Sequence, residues 1–427
     1  MLTPHPQRET LHNEVHARPY ERLTAPVVLT HLAWVGAEGS APREHIVALL
    51  ESRHLPVPAA ESSHLSVNLG SVWLRWEKHT EFHTCTFWRS LDAPPDSFDT
   101  TALAEVPQDW LAAMPGQWMV GLHMVVLDDA TRGAAQRLQQ LVKRELQEDS
   151  LVGASVMDGA GQAWTDFRIH ADGFARVVLA SEGMTPRRLG RAVQRLLEIE
   201  TYRMMALLGL PMAREVGGAL AQAERALAQV AGEVLTARRE QEPDLLRRLT
   251  QLAGEVESLY ARTHARFSAS AAYFELVQRR IDELREQRIE ALQTLGEFME
   301  RRLAPAMQTC AWASRRQQAL SERISRTSDM LRTRVEIEQQ QSSQDLLDAM
   351  NRRQKAQLLL QSAVEGLSVA AVTYYGAGLV GYVAKGMRSL GVNVSPDVAA
   401  AIAVPLIAIG VWLGIRRLHA RVQSEAD

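Results

Sequence analysis

The stretch VEGLSVAAVTYYGAGLVGYVAKGMR, residues 364–388, decides how the C-terminal part of this chain folds. Gly376, Gly378 and Gly381 match G-x-G-x-x-G, the phosphate-binding loop of dinucleotide-binding folds. That loop needs a strand before the glycines and a helix after them. Here the glycines lie inside nineteen uncharged residues, 366–384. A helix of that length spans about 28 Å, close to the thickness of a bilayer core, so the stretch predicts a transmembrane helix over 366–384.

A second uncharged run follows after a short connection. It comprises the eighteen residues 398–415, and residues 385–397 join it to the first run. The basic residues that flank both runs are Arg352, Arg353, Lys355, Arg416, Arg417 and Arg421, against Lys385 and Arg388 in the connection. Positive charge concentrates on the cytoplasmic side of a membrane. The sequence therefore predicts two spans in a bacterial inner membrane, contact with membrane lipid, a periplasmic loop at 385–397 and both termini, including a basic tail at 416–427, in the cytoplasm.

Composition excludes several classes of function. A net charge of −3 and a pI near 6.5 give no reason to expect a nucleic-acid partner. Cys85 and Cys310 are the only cysteines, so the chain has neither a disulfide framework nor a C-x-x-C metal site. No G-x-S-x-G, Walker loop or Cys-His arrangement is present. The sequence predicts no enzyme and no organic cofactor.

Residues 1–184 have the pattern of a mixed α/β domain. Most of the prolines and tryptophans lie at or before Pro186, where strand-like and helix-like runs alternate. Strands are predicted over 27–34, 65–76, 82–89, 118–127, 151–157, 163–170 and 174–180, and helices over 42–53 and 131–148. The fold class that follows is an α+β cytoplasmic domain.

Strand signals disappear after Thr185, which can cap a helix that begins at Pro186. A helical middle region is predicted over 185–304 and a stalk helix over 305–365, because residues 306–365 contain neither glycine nor proline. An unbroken helix of that length is about 90 Å long. The whole chain is thus an α+β domain, then long coiled-coil-like helices, then a two-helix transmembrane hairpin formed by 366–384 and 398–415.

Small residues on the first span indicate close helix packing. They recur at three- and four-residue intervals, at Gly366, Ala370, Thr373, Ala377 and Gly381. Small residues let helices approach closely in lipid. The partner is either the same helix in other copies of the chain or the second helix of the same chain, and the pattern alone leaves both open. The apolar stripe along the predicted stalk helix needs partner helices to cover it, which favours a homo-oligomer.

The order of these segments, and Gly386-Met387 after the first span, resembles the CorA-type magnesium channel family. That resemblance implies a funnel of five subunits, with the first span lining the pore and a divalent cation as ligand. The residues it places on or near the pore are Glu365, Ser368, Val369, Thr373, Gly376, Val380, Gly386, Met387 and Arg388. At this place the family has Gly-Met-Asn, whereas this chain has Gly386-Met387-Arg388, so an arginine replaces the asparagine. A permanent positive charge there argues against magnesium selectivity.

A second resemblance covers most of the chain. The segments LHNEVHARPY at 11–20, TDFRIHADGF at 165–174, SDMLRTRVEIE at 328–338 and VEGLSVAAVTYYGAGLVGY at 364–382 carry it. By these segments the chain is identified as a member of an uncharacterised bacterial family of membrane-anchored proteins, a domain of unknown function. The resemblance implies a membrane anchor and no particular activity.

Histidines provide the remaining candidates for a site. His12 and His16 would share one face of a helix and could bind a metal ion, although the nearby prolines favour an extended arm. His79 and His83 are four residues apart in strand-like sequence, where surface or edge positions are expected.

Two functions agree with these observations. The first is an oligomeric ion channel or transporter of CorA-like architecture. The alternative is a membrane-anchored scaffold or sensor whose cytoplasmic domain binds a partner without transport.

Overall fold

A computed structural model of the protein describes residues 5–9, 12, 20–37, 39–59, 62–128, 134–389 and 394–424. The chain divides into two compact units. The first comprises Met1–Ala237 and Pro243–Ser328, and the second comprises Arg238–Glu242 and Asp329–Asp427.

The first unit is built on one mixed sheet of nine strands in the order β2-β3-β4-β1-β5-β8-β7-β6-β9. Strands β1 and β5 lie side by side near the centre, antiparallel to each other, and β5 pairs in parallel with β8. The strands are β1 Val27–Val35, β2 His64–Asn68, β3 Trp73–Lys78, β4 Phe82–Ser90, β5 Gln117–Asp128, β6 Val152–Val156, β7 Gly161–Thr165, β8 Ala175–Ser181 and β9 Gln287–Arg288.

Helices cover both faces of this sheet. One face carries α1 (Ala41–Ser52), α2 (Gln108–Ala112) and α3 (Ala134–Glu145), and the other carries α4 (Pro186–Leu207). Strand β1 is buried along nearly its whole length because alternate side chains enter the two cores. Leu32 packs with the α1 side, whereas Leu29 packs with the α4 side.

The remaining helices of the first unit follow α4 along the chain. They are α5 (Gly209–Thr236), α6 (Glu242–Leu284), α7 (Leu295–Arg302) and the beginning of α8 (Ala304–Ser389). Pro186 occupies the first turn of α4, as the sequence predicts, where its missing N–H leaves no bond unmade. On α6, Phe267 and Ile281 are buried and join the core on the α4 side.

Two sequence predictions about strands are wrong in detail. The single strand expected over 65–76 is a hairpin of β2 and β3, because Gly70 turns the chain at a φ of 107° and donates its N–H to the Asn68 side chain. Strands also do not end at residue 185. The short strand β9 returns from the helical region and pairs with β6, so a tertiary contact makes a strand where local pattern gives no signal.

The loop 166–174, which belongs to the TDFRIHADGF segment, is held by a buried carboxylate. Asp166 is 1% exposed and accepts hydrogen bonds from the backbone N–H groups of Gln147 and Arg168, at 3.0 and 3.1 Å. These bonds connect the end of α3 to the loop between β7 and β8. The strand predicted over 163–170 therefore ends at Thr165.

The second unit contains most of α8 and the C-terminal helix α9 (Pro396–Ser424). Within the described residues, two helices are long and apolar enough to cross a membrane, one within Leu295–Met387 and one at Pro396–Arg417. Helix α9 lies against α8, since Ile407 is beside Gly376 and Ala400 is beside Gly381. At the other end of the unit, Arg334 pairs with the buried Glu242 at 2.8 Å.

Candidate functional site

A cavity of about 480 Å³ lies in the first unit, between the sheet and helix α4. Its floor is the α4-facing side of β1, β3 and β4, and its roof is formed by side chains of α4. The segment before β1 and Arg280 of α6 form its walls. Ligand sites in proteins are typically concave and of about 300–1,000 Å³. This cavity falls in that range.

The floor of the cavity is polar, unlike the rest of the same sheet face. Cross-strand pairing places Arg75, Thr86 and His31 in one row across β3, β4 and β1. The next row begins with Glu77 opposite Thr84. Elsewhere this face carries apolar side chains that pack on α4. Burying polar groups costs free energy unless they are satisfied, so apolar packing alone does not explain this floor.

His31 joins the floor to the roof. It is 5% exposed, its Nδ1 lies 2.8 Å from the Thr86 hydroxyl and its Nε2 lies 2.9 Å from the Thr201 hydroxyl. The Thr201 hydroxyl donates to the Leu197 carbonyl, so we assign the donated hydrogen to Nε2 and the accepting role to Nδ1. Burial lowers the pKa of His31 to about 4, and the imidazole is therefore neutral at physiological pH.

Two charged clusters line the cavity. Arg75 donates to Glu77 at 2.9 Å, and its guanidinium lies 3.8 Å from Glu21. Arg280 pairs with Glu198 and, at 3.1 Å, with Glu283. Paired in this way, buried charges are tolerated in a protein interior.

The rim of the cavity depends on a close backbone contact. A Cβ atom at Gly190 would lie 1.7 Å from the Glu21 carbonyl oxygen, so α4 approaches the segment before β1 closely only because this residue is glycine. In the same place Leu23 N–H donates to the Pro186 carbonyl at 3.2 Å. These contacts hold Tyr20 and Glu21 at the cavity wall.

The pore candidates from the sequence fall into two groups. Val369, Thr373, Gly376 and Val380 lie on the side of α8 that is partly or fully buried, and α9 of the same chain lies against that side at Gly376. Between Thr373 and Gly381 the small-residue face thus meets the second helix of its own chain, whereas Gly366 and Ala370 are exposed. Ser368, Gly386 and Met387 are exposed, and Glu365 is half-buried and accepts a hydrogen bond from Gln361 at 3.2 Å. The Arg388 side chain is outside the described residues.

The histidine candidates are described only in part. His12 is described but His16 is not, so that pair lies partly outside the described residues. Within the described part of the chain, no group of three or more His, Cys, Asp or Glu side chains could hold a metal ion. His83 is buried rather than at a surface or edge, because it faces the α1 side and stacks on Trp34 at 5.3 Å. His79 instead lines the cavity and stacks on Phe82.

Sequence reasoning missed the cavity residues His31, Arg75, Thr86 and Thr201. The available signal was the charged pair in β3, WLRWEK, where Arg75 and Glu77 alternate with buried Leu74 and Trp76. Alternation predicts that the two charges share a face, and that face would ordinarily be taken for the solvent side.

The described part of the chain has an α+β sheet domain, long helices and, in its C-terminal part, two helices long and apolar enough to span a membrane. This combination of elements is the class of protein that the fold defines. The chain belongs to the family described as "Protein of unknown function (DUF3422)", whose family model matches residues 3–422. No curated protein matches the chain.

Proposed function

We propose that this protein is a membrane-anchored sensor, in which the cavity of the α+β domain binds a small cytoplasmic molecule. The apolar helices α8 and α9 act as the anchor, in a bacterial inner membrane with both termini in the cytoplasm. The observation that carries this proposal is the polar floor of the cavity beneath α4. A sheet face that served stability alone would present apolar side chains to that helix.

The packing of the C-terminal helices supports an anchoring role. The small-residue side of α8 lies against α9 in the same chain, and this contact satisfies the packing signal of the first span without further copies. A hairpin of this kind is sufficient to hold a domain at a membrane.

The experiment is equilibrium dialysis of the purified full chain against bacterial extract, followed by mass spectrometry of the bound small molecules. Val193→Trp fills the cavity from α4, and Arg191→Trp places the same side chain at an exposed position of that helix. Wild type and Arg191→Trp are expected to retain the same molecule, and Val193→Trp to lose it. Retention by Val193→Trp refutes the proposal. A chain with an unrelated two-span anchor in place of 366–415 should retain the molecule.

An ion conduit of CorA-like funnel architecture is the second candidate. The observation that favours it is the exposed side of α8, which carries the hydroxyl groups of Ser368, Tyr375 and Tyr382 at intervals that place them on one face. In an oligomer this side, rather than the one against α9, is available to line a central path. Of the pore residues predicted from the sequence, Ser368 and Gly386 lie on this exposed side.

Cation flux into liposomes tests the conduit. If it exists, Ser368→Leu reduces flux, whereas Thr373→Val on the side against α9 leaves flux near the wild-type rate. Absence of flux from correctly inserted protein rules this candidate out and leaves the sensor unaffected.

A further inference from the structure

The charges of the cavity lining are unequal. Arg75 and Arg280 face three carboxylates, Glu21, Glu77 and Glu198, so these five side chains carry a formal charge of −1. His31 adds no charge to them, since burial lowers its pKa to about 4. Unequal charge in a cavity with low-dielectric walls selects the sign of a ligand.

Both arginines are already occupied. The Arg75 guanidinium is bound by Glu77 and approached by Glu21, and that of Arg280 is held by Glu198 and Glu283. An incoming anion would have to displace these carboxylates beside a set of side chains that is negative overall. The lining therefore disfavours phosphate or carboxylate ligands.

Glu21 is the carboxylate that is least engaged. Among the residues that the structure describes, its nearest cationic contact is Arg75 at 3.8 Å, longer than a hydrogen bond, and its side chain is 26% exposed. By comparison, Glu198 accepts from both Gln194 and Arg280. Glu21 is thus the acid at the wall with capacity to pair with a ligand group.

A hydroxyl group on the floor offers a second contact. Thr84 is 3% exposed and lines the cavity. A ligand N–H group above β4 can donate to this hydroxyl.

Aromatic rings form the remaining walls. Trp88 and Phe82 are 6% and 4% exposed, and both line the cavity. Trp88 stacks on Trp73 with ring centroids 5.8 Å apart, which holds the indole plane in place. Aromatic faces attract cations, and a carboxylate beside such rings is suited to an ammonium group.

We propose that the cavity binds a small organic cation, a primary amine on an aliphatic chain, with its ammonium group paired to Glu21 and its chain against Trp88. This inference rests on the proposed sensor function, whose cavity it uses. Thr84 accepts a second N–H from the ligand. The volume of about 480 Å³ accommodates a diamine or a longer polyamine.

The test uses three probes that share a four-carbon chain: putrescine, butanediol and succinate. Each is titrated into the full chain in a neutral detergent at about 0.15 M salt, with calorimetry and tryptophan fluorescence as readouts. Putrescine is expected to bind at a single saturable site, and butanediol and succinate not to bind at the same concentrations. Preferred binding of succinate, or equal binding of butanediol, overturns the proposal.

Matched variants test whether Glu21 is the carboxylate that pairs with the ammonium group. Glu21→Gln is expected to weaken putrescine binding about tenfold or more. Glu81→Gln removes a carboxylate of similar exposure, 31%, that does not line the cavity, and should change affinity less than about twofold. Thr84→Val keeps the side-chain volume and is expected to weaken binding about threefold or more. Equal losses in Glu21→Gln and Glu81→Gln would show diffuse attraction and overturn the proposal.

The two proposals can fail separately. If no amine binds, and dialysis still recovers a molecule from wild type but not from Val193→Trp, the organic-cation class is wrong and the sensor function stands. If dialysis recovers nothing that depends on the cavity, the sensor function fails.

Discussion

Replacing His31 with glutamine should reduce the acid sensitivity of the α+β domain. In the unfolded chain a histidine has its ordinary pKa of 6.5, whereas burial lowers the pKa of His31 to about 4 in the folded protein. Between these values the unfolded state binds the extra proton, so the free energy of unfolding falls as pH falls from about 6.5 to about 4. Above about pH 6.5, His31 is neutral in both the folded and the unfolded state, so it makes no pH-dependent contribution to the free energy of unfolding.

The size of the effect follows from the two pKa values. Linkage gives a loss of about 2 kcal/mol at about pH 5 and about 3 kcal/mol below pH 4, from His31 alone. Glutamine does not titrate, and its amide can bond to the hydroxyls of Thr86 and Thr201. A constant penalty of about 1 kcal/mol for imperfect geometry is expected at every pH.

The assay is urea unfolding of the full chain in detergent, followed by tryptophan fluorescence at about pH 7.5 and about pH 5. Seven of the nine tryptophans lie before residue 165, so the signal reports mainly on the sheet. The loss of unfolding free energy between the two pH values should be about 2 kcal/mol smaller in His31→Gln than in wild type. His264→Gln, at an exposed position of α6, should keep the wild-type difference. The reasoning is refuted if His31→Gln shows the wild-type loss.

Three further predictions concern other parts of the structure. Gly190→Ala should displace the segment before β1 and lower the unfolding free energy by about 1–3 kcal/mol in the same urea assay, because its Cβ would meet a backbone carbonyl; an unchanged midpoint would contradict this contact. Asp166→Ala leaves two backbone donors unpaired and should cost about 2–4 kcal/mol, again by urea unfolding. In a background without other cysteines, Gly381→Cys with Ala400→Cys should oxidise to an intrachain disulfide, since the two Cβ positions are 3.9 Å apart. Gly378→Cys with Ala400→Cys should not, and crosslinked dimers in place of an intrachain bond on denaturing gels would refute the hairpin contact.

Much of the backbone could be predicted because its signals are local. Strands β1, β4 and β5 follow from short runs rich in apolar, β-branched and aromatic residues, and Pro186 marks the start of α4. The two apolar helices follow from uncharged length alone. Strand β9 could not be found this way, since two residues without strand propensity become a strand only through pairing with β6.

The candidate site was accessible from the sequence only in part. Periodicity predicts that Arg75 and Glu77 share a face of β3, but it does not reveal that α4 covers that face. His31 came into contact with Thr86 across a strand pair and with Thr201 across a layer, at sequence separations of 55 and 170 residues. No local pattern encodes contacts of that range.

The sequence by itself determined where charge is absent, where turns and helix starts lie, and which family the chain belongs to. Those properties depend on neighbouring residues along the chain. Only the tertiary structure decided what each face meets: the small-residue side of α8 meets α9, and the polar side of β3 and β4 meets a cavity. A repeat along a helix or strand fixes which side chains point together, whereas burial depends on the element that packs against them.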